Sequence, residues 1–231
     1  MEWSATDLLV RQVAGIAGPT TGALLMALLL GAAACAPGWG DAAGIIVDEW
    51  ASVPVPPPPE LHKVTVSAAD TALLVLDIQQ QNCNEERRPR CVASLPGIVG
   101  LLAQCREHGM AVIYSLTSNA TVDDVRAEVA PRADEPVVAS GVDKFYGTDL
   151  EEILRARGIR AVVLVGTSAH GAVLNTATGA ALRGFEVVVP VDGMSAGEPY
   201  AEQYTAWHLA NSPGTRRSVT LTRMSMLTIA P

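Results

Sequence analysis

The sequence predicts an α/β fold, a three-layer α/β/α sandwich with a mostly parallel, Rossmann-like central sheet. Three apolar runs without polar alternation, at 73–76, 162–165 and 186–191, are typical of parallel strands that helices cover on both faces. Segments with helical patterning separate these runs along the chain. Gly158 and Gly184 each stand just before a strand, as glycines do where a helix ends.

Strands and helices are predicted to alternate through a folded domain at 64–231. The predicted strands lie at 72–77, 111–116, 160–165, 185–190 and 218–222. The predicted helices lie at 95–108, 121–130, 148–157, 171–183 and 198–210.

The segment 1–35 has the pattern of a signal peptide or of a lipoprotein or membrane anchor. Residues 22–36 carry no charge and follow Arg11, and three alanines precede Cys35, which is the lipidation candidate. We expect export, with the domain on the periplasmic or extracytoplasmic side and the N-terminus as the candidate membrane attachment. A cytoplasmic protein with a misassigned start or an oligomerisation arm is the alternative.

The segment 36–63 contains VPVPPPPELH, which is typical of a stiff polyproline tether. A proline-rich linker and a strap packed on the domain surface are both consistent with this composition.

The composition excludes some classes of function. The 231 residues carry a formal net charge of −8, and phosphate contacts need a basic face, so we expect no nucleic-acid binding. The expected partners are a small-molecule substrate and further copies of the chain in a homo-oligomer.

Three cysteines lie in the predicted domain. Cys83 and Cys91 flank a polar loop and form a plausible disulfide if the domain is exported. Cys105 falls on an amphipathic helix, where a buried and unreactive thiol is expected.

Two chargeable residues lie where a ligand pocket is expected. Asp77 ends a buried strand, and ligands bind at the carboxyl ends of strands in open α/β sheets. Burial there would raise its pKa and suit it to proton transfer, although an aspartate that caps a helix or orders a loop fits equally well. Lys144 precedes Thr148, a predicted helix cap, and is either a surface lysine or a partner for an anion.

A run of small residues links a strand to a helix between Gly166 and Ala177. Such a turn allows close backbone approach and leaves amide N–H groups facing a pocket. His170 is either a ligand or acid there or a packing residue. Ala172 opens the helix and has no reactive atom.

Across residues 70–228 these features resemble the isochorismatase-like hydrolases, also called cysteine hydrolases. The family's catalytic aspartate, lysine and cysteine correspond to Asp77, Lys144 and Ala172. The stretch GTSAHGAVLNTA keeps the family's Gly166, Val173 and Thr176-Ala177, but has alanine in place of the cysteine and Ala169 in place of a threonine. It is similar to the branch that lacks the cysteine and hydrolyses a vinyl ether, in which the aspartate protonates the vinyl group.

The resemblance implies further site residues and a backbone feature. The implied substrate-binding residues are Thr167, Ser168, His170, Gly171 and Thr176. A non-proline cis peptide is implied near Thr167-Ser168. The histidines show no metal-binding grouping, so we expect neither a metal nor another cofactor. They are His62, His108, His170 and His208.

Three functions follow from these patterns. The first is a hydrolase of a small, anionic substrate that uses Asp77 and Lys144 without a cysteine nucleophile. The second is an inactive family member that acts as a binding or scaffold protein. The third is an amidohydrolase with a non-standard nucleophile, for which Cys83 and Ser168 are the nearby candidates.

Overall fold

A computed structural model describes residues 44–231. The segment with the predicted signal peptide or anchor and Cys35 lies outside the described residues. The chain divides into two units. The described part of the first, residues 44–53, contains the short helix α1 (Ile46–Glu49). The second, Pro54–Pro231, contains every other element described below.

The second unit alternates strands and helices. Its strands are β1 (Val64–Ser67), β2 (Thr71–Leu76), β3 (Ala111–Thr117), β4 (Val137–Ser140), β5 (Ala161–Thr167), β6 (Glu186–Pro190), β7 (Met194–Ser195), β8 (Val219–Thr222) and β9 (Leu227–Ala230). Its α-helices are α2 (Pro89–Glu107), α3 (Leu150–Ala156), α4 (Leu174–Leu182) and α5 (Pro199–Asn211). No helix among residues 44–231 has both the length and the hydropathy of a membrane span.

A seven-stranded parallel sheet forms the centre of this unit. Six strands lie in the order β4-β3-β2-β5-β6-β8, and β7 pairs with the end of β5. Strands β1 and β9 form a separate parallel pair. In a parallel sheet all strands end at the same edge, so the residues that follow β2, β4 and β5 meet there.

The two faces of the sheet bury different side chains. On β2, Leu74 and Leu76 pack with residues of α3, α4 and α5, whereas Leu73 and Val75 pack with α2 and the β1–β9 pair. Every residue of β2 is buried, as expected for a central strand covered on both sides. The predicted three-layer α/β/α sandwich is therefore confirmed.

The predicted helix at 121–130 is wrong. The structure has two single 3₁₀ turns, Val122–Asp124 and Ala127–Val129, separated by extended backbone at Val125. Between the two turns the Arg126 N–H donates to the Ile78 carbonyl, and the Asp124 carbonyl accepts from the Gln80 N–H, so this part of the segment bonds to the loop after β2. Tertiary hydrogen bonds thus override the local helical tendency.

Other boundaries also differ from those predicted. Helix α2 begins at Pro89, because proline suits the first helical turn, and the interior Pro96 concealed this early start. Four further strands were not predicted, because each has only two to four residues and therefore too few side chains to show a period. These are β1, β4, β7 and β9.

Candidate active site

Asp77 follows β2 directly and lies at the carboxyl edge of the sheet. The residue is 5% exposed, and its backbone has a φ of 51°, in the left-handed region that few residues other than glycine adopt. Its N–H donates to the Ser115 carbonyl of β3 at 3.1 Å. The left-handed turn takes the chain out of the strand while the carboxyl group remains at the sheet edge.

Lys144 lies in the loop between β4 and α3 and is fully buried. Its ammonium is 2.8 Å from Asp77 Oδ2 and donates to the carbonyls of Leu116 and Ser140 at 3.2 and 3.1 Å. An ammonium has three N–H donors, so these three acceptors satisfy it completely. Lys144 is therefore a buried structural cation that holds Asp77, and not a surface lysine.

Opposing effects act on the Asp77 carboxyl group. Burial raises its pKa above the usual value, and this effect exceeds those of Lys144, the Ser115 hydroxyl and Arg88, which lower the pKa. The Ser115 hydroxyl donates to Asp77 Oδ1 at 2.8 Å. Such a carboxyl group keeps its proton to higher pH than an ordinary aspartate and can serve as an acid.

Helix α4 begins beside this pair. The Lys144 N–H donates to Thr176 Oγ1 at 3.2 Å, and the Thr176 hydroxyl faces the Val142 carbonyl at 3.4 Å. Ala172, one helical turn before Thr176, is 3% exposed and belongs to the hydrophobic core. The structure therefore joins Asp77 to Lys144 and Lys144 to Thr176 of α4, and Ala172 lies in the π-helical turn from which α4 continues.

The turn from β5 into α4 has an unusual backbone. Gly166 has a φ of 132°, and a Cβ there would lie 2.1 Å from the Leu76 carbonyl oxygen. The peptide bond between Thr167 and Ser168 is cis, at the position the resemblance implied. Residues Ala169–Val173 form a π-helical turn, so the helix begins earlier than the predicted 171.

This turn offers fewer free donors than predicted. The N–H groups of Gly171 and Val173 both donate to the Ser168 carbonyl, at 3.0 and 3.2 Å. The Thr167 hydroxyl is buried and donates to the Ser195 carbonyl at 3.0 Å. These three groups are therefore occupied by the protein itself, contrary to the expectation that the amides face a pocket.

The remaining predicted positions differ in exposure. His170 is exposed, and Ser168 and Gly171 are half-buried. Within residues 44–231 no basic side chain forms a hydrogen bond with the Ser168 hydroxyl. The same residues contain no group of three His, Cys, Asp or Glu side chains that could hold a metal ion.

Cys83 and Cys91 form a disulfide with 5.3 Å between their Cα atoms. Cys83 therefore carries no thiol that could act as a nucleophile. Cys105 is free and buried as predicted, and burial raises the pKa of its thiol to about 12, which keeps it protonated and unreactive.

Sequence reasoning missed two residues that act on Asp77. Ser115 is the β3 partner of Leu76, and the register of the parallel sheet brings its hydroxyl to the carboxyl group. Arg88 is half-buried at the start of α2, and its charge lowers the pKa of Asp77. A polar Ser in an otherwise apolar strand and an arginine directly before the helix-starting Pro89 are the signals that could have found them.

A separate cleft of about 230 Å³ lies between the first turns of α2 and α5 and the segment between β6 and β7. Arg90 and Glu202 form an ion pair across it. None of its lining residues contacts Asp77 or Lys144 by a hydrogen bond or ion pair, so this cleft is distinct from the Asp77–Lys144 site. The lining residues are Arg90, Ala93, Ser94, Val191, Asp192, Met194 and Glu202.

Comparison with known proteins gives a consistent result. The family model of the isochorismatase domain matches residues 71–220. The "Secreted isochorismatase effector Isc1" of Verticillium dahliae is 29% identical over 142 residues, which are 56% of this chain and 75% of that protein.

Solved structures have the same fold. An isochorismatase family protein from Desulfovibrio vulgaris superposes with a TM-score of 0.61 at 20% identity, over 68% of this chain and 95% of the other. The N-carbamoylsarcosine amidase of Thermoplasma acidophilum superposes with a TM-score of 0.58 at 26% identity, over 67% and 96% of the two chains.

Proposed function

This chain belongs to the isochorismatase family of hydrolases, and we propose that it hydrolyses a small anionic vinyl ether with Asp77 as the acid and without a thiol nucleophile. The observation that carries this proposal is the buried Asp77 carboxyl group, held by Lys144 and Ser115 beside a helix start that bears Ala172.

The reaction needs one group that gives up and recovers a proton. The Asp77 carboxyl group protonates the terminal vinyl carbon, and the π electrons form the new C–H bond. Water adds to the resulting oxocarbenium carbon and loses a proton to the Asp77 carboxylate. The hemiketal then breaks its bond to the alkoxy oxygen, which takes up the remaining proton, so that substrate and water become a ketone and an alcohol.

Lys144 acts on Asp77 in this scheme. Its three donors are already used, so it fixes the carboxyl group and stabilises the carboxylate that forms after proton transfer. Burial and Lys144 shift the pKa of Asp77 in opposite directions, which keeps the acid and its conjugate base both accessible.

The amide-hydrolysis alternative has less support. Cys83 lies in a disulfide, Ala172 has no nucleophilic atom, and Ser168 has no base bonded to it among the described residues. Two N–H groups of the turn that could stabilise an oxyanion donate instead to the Ser168 carbonyl. The inactive binding protein differs from the hydrolase in that it binds the substrate but releases no product.

We also infer export of this domain. The apolar run before Cys35 and the Cys83–Cys91 disulfide support this assignment, because disulfides persist in oxidising compartments. The name of the Verticillium dahliae relative describes that protein as secreted. Under this inference the protein acts on a substrate outside the cytoplasm.

The test is a direct assay of the purified protein with isochorismate, whose carboxyvinyl ether would yield pyruvate. We expect pyruvate release, and no release of ammonia from nicotinamide or N-carbamoylsarcosine under the same conditions. Ammonia release without pyruvate release would show an amidohydrolase. Binding of isochorismate without any product would support the inactive binding protein.

A further inference from the structure

Arg88 carries a charge that no carboxylate in the described part of the chain neutralises. The residue is half-buried, and among residues 44–231 no Asp or Glu oxygen lies within 4.0 Å of its guanidinium. Its one side-chain hydrogen bond runs from Nη1 to the Asn82 carbonyl at 3.4 Å. A guanidinium has five N–H donors, so most of the hydrogen-bonding capacity of Arg88 is unused.

The backbone around Arg88 is held firmly. The Arg88 N–H donates to the Asn84 carbonyl at 2.9 Å, and its own carbonyl accepts from Cys91 and Val92. The Cys83–Cys91 disulfide closes the loop that contains it. Arg126 Nη1 also donates to the Cys83 carbonyl at 3.1 Å, which ties the loop to the segment after β3. The side chain therefore projects from a fixed base.

Arg88 is also close to the proposed acid, because its guanidinium donates to the carbonyl of Asn82 in the loop that follows Asp77. The Asn82 side-chain amide in turn donates to Gln79 Oε1 at 2.9 Å, two residues after Asp77. Its charge lowers the pKa of Asp77, and the Asp77 charge in turn raises the pKa of Arg88. Burial lowers the pKa of Arg88, as expected for a cation that is partly withdrawn from water without a neutralising partner. An anion bound beside Arg88 would stabilise its charged form and so offset the effect of burial.

We propose that Arg88 binds a carboxylate group of the substrate, in a loop that the Cys83–Cys91 disulfide positions. This assignment rests on the proposed vinyl ether hydrolysis and names the recognition element of its substrate. In a carboxyvinyl ether the carboxylate is attached to the carbon next to the one that Asp77 protonates. A residue that recognises this carboxylate must lie close to the acid, and guanidinium matches carboxylate with two parallel hydrogen bonds.

Binding at Arg88 has a consequence for catalysis. The substrate carboxylate cancels the positive charge that lowers the pKa of Asp77, so the acid holds its proton more tightly in the complex than in the free protein. The neutralised Arg88 also no longer opposes the positive charge of the oxocarbenium. An anionic substrate therefore promotes its own protonation, and a neutral ester does not.

The binding test uses 2-(cyclohexyloxy)propanoate, whose saturated side chain cannot be protonated at carbon, and its methyl ester. Affinities are measured by calorimetric or NMR titration for the wild-type protein, R88Q and R87Q. Arg87 is the matched control because it is the neighbouring arginine, is exposed and bonds only to the Gln81 carbonyl through its side chain. Far-ultraviolet circular dichroism checks that each variant is folded.

We expect R88Q to weaken binding of the acid roughly 10- to 100-fold, the value of a lost charge-assisted contact, and to leave ester binding unchanged. R87Q should change both by less than about twofold, as expected for an exposed charge. Equal effects of R88Q and R87Q, equal losses for acid and ester, or no binding of the acid to the wild-type protein would overturn the assignment. These titrations measure binding alone and do not require the protein to turn over a substrate. The hydrolysis proposal is tested separately by the pyruvate assay, so the two proposals can fail independently.

The pH dependence supplies a second readout that a merely structural role of Arg88 would not affect. In the wild-type protein, the pH profile of kcat for isochorismate should fall at a higher pH than the profile of kcat/KM. The kcat profile reports the pKa of Asp77 in the complex, where the substrate carboxylate neutralises Arg88, and the kcat/KM profile reports it in the free protein. In R88Q the basic limb of the kcat/KM profile should move to higher pH, because the charge that lowers the pKa of Asp77 in the free protein is gone. A kcat/KM limb that stays at its wild-type pH in R88Q would contradict the proposal.

Discussion

At the scale of single residues, Lys144 is a cation without free donors. Asp77 and two backbone carbonyls accept all three of its N–H groups. A lysine in this state cannot bind a substrate without losing a protein contact, so its effect on the reaction must pass through Asp77. In the proposed reaction the substrate therefore contacts Asp77 and not the Lys144 ammonium.

Replacing Lys144 with methionine tests this dependence. The lysine charge lowers the pKa of Asp77, so K144M should raise that pKa further and move the basic limb of kcat/KM to higher pH. The folded-state pKa then exceeds the unfolded value by more than in the wild-type protein, so stability falls further as pH rises through the folded pKa. Urea unfolding should show a loss already at pH 5, because the carbonyls of Leu116 and Ser140 lose their donor, and this loss should grow to about 3–5 kcal/mol at pH 8, where the carboxylate is charged and unpaired.

The control for K144M is R160M. Arg160 pairs with Asp70, but its side chain is 81% exposed, so its loss should leave the free energy of unfolding nearly unchanged at either pH. A loss in K144M that is equally small, or that does not depend on pH, would contradict the assigned role of Lys144.

Thiol reagents test the significance of Ala172. The free thiol among the described residues, Cys105, is buried with a pKa of about 12, so iodoacetamide should leave wild-type turnover unchanged. A172C places a thiol at the helix start beside the Asp77–Lys144 pair, and its alkylation should abolish turnover. Alkylation of A172C without loss of activity would place the reaction elsewhere.

At the scale of secondary-structure elements, the close approach of the end of β5 to the end of β2 depends on Gly166. Its φ is 132°, and a Cβ at this position would lie only 2.1 Å from the Leu76 carbonyl oxygen, which leaves no room for a side chain. This close approach brings the turn before α4 next to the Asp77 loop. The element-level arrangement of the site therefore depends on one position without a Cβ.

The G166A substitution should be severely destabilising. A Cβ against backbone cannot be relieved by a rotamer change, so we expect a loss of about 3 kcal/mol or more in urea unfolding. G100A is the control, because a Cβ at Gly100 meets no atom within 4 Å and alanine favours the interior of α2. G100A should be neutral or stabilising by up to about 1 kcal/mol. Similar effects of both would refute the steric explanation.

Elements were predictable to the extent that local pattern determines them. The long apolar strands β2, β5 and β6 and the helices that follow them could be located from periodicity. The segment 121–130 could not, because it is hydrogen-bonded to Ile78 and Gln80, which are distant in sequence. Asp77 and Lys144 could be selected at element ends, whereas Ser115 and Arg88 become relevant only through the sheet register and the closed loop.

At the scale of the whole molecule, the alternation of buried side chains on β2 divides the interior into two apolar clusters, one on each face of the sheet. Composition and strand hydropathy predicted this architecture, because a parallel sheet must be covered on both sides. The chemistry was less predictable: the proposed site depends on a few polar side chains whose burial and charges only the three-dimensional arrangement determines.

Export is tested on the complete chain. If Cys35 is lipidated, cells fed radiolabelled palmitate should incorporate label into the protein, and C35S should abolish incorporation while C105S should not. An unlabelled, unprocessed protein in the cytoplasmic fraction would contradict export.

The central claim is that Asp77 supplies the proton, and the most direct test is the rate of pyruvate release from isochorismate by D77N. Asparagine preserves the size of the side chain and tolerates a φ of 51°, which alanine does not, so D77N removes the acid with little change in backbone strain. We predict that D77N remains folded and loses about 10²- to 10⁴-fold in kcat/KM. A folded D77N that releases pyruvate at the wild-type rate would contradict the claim.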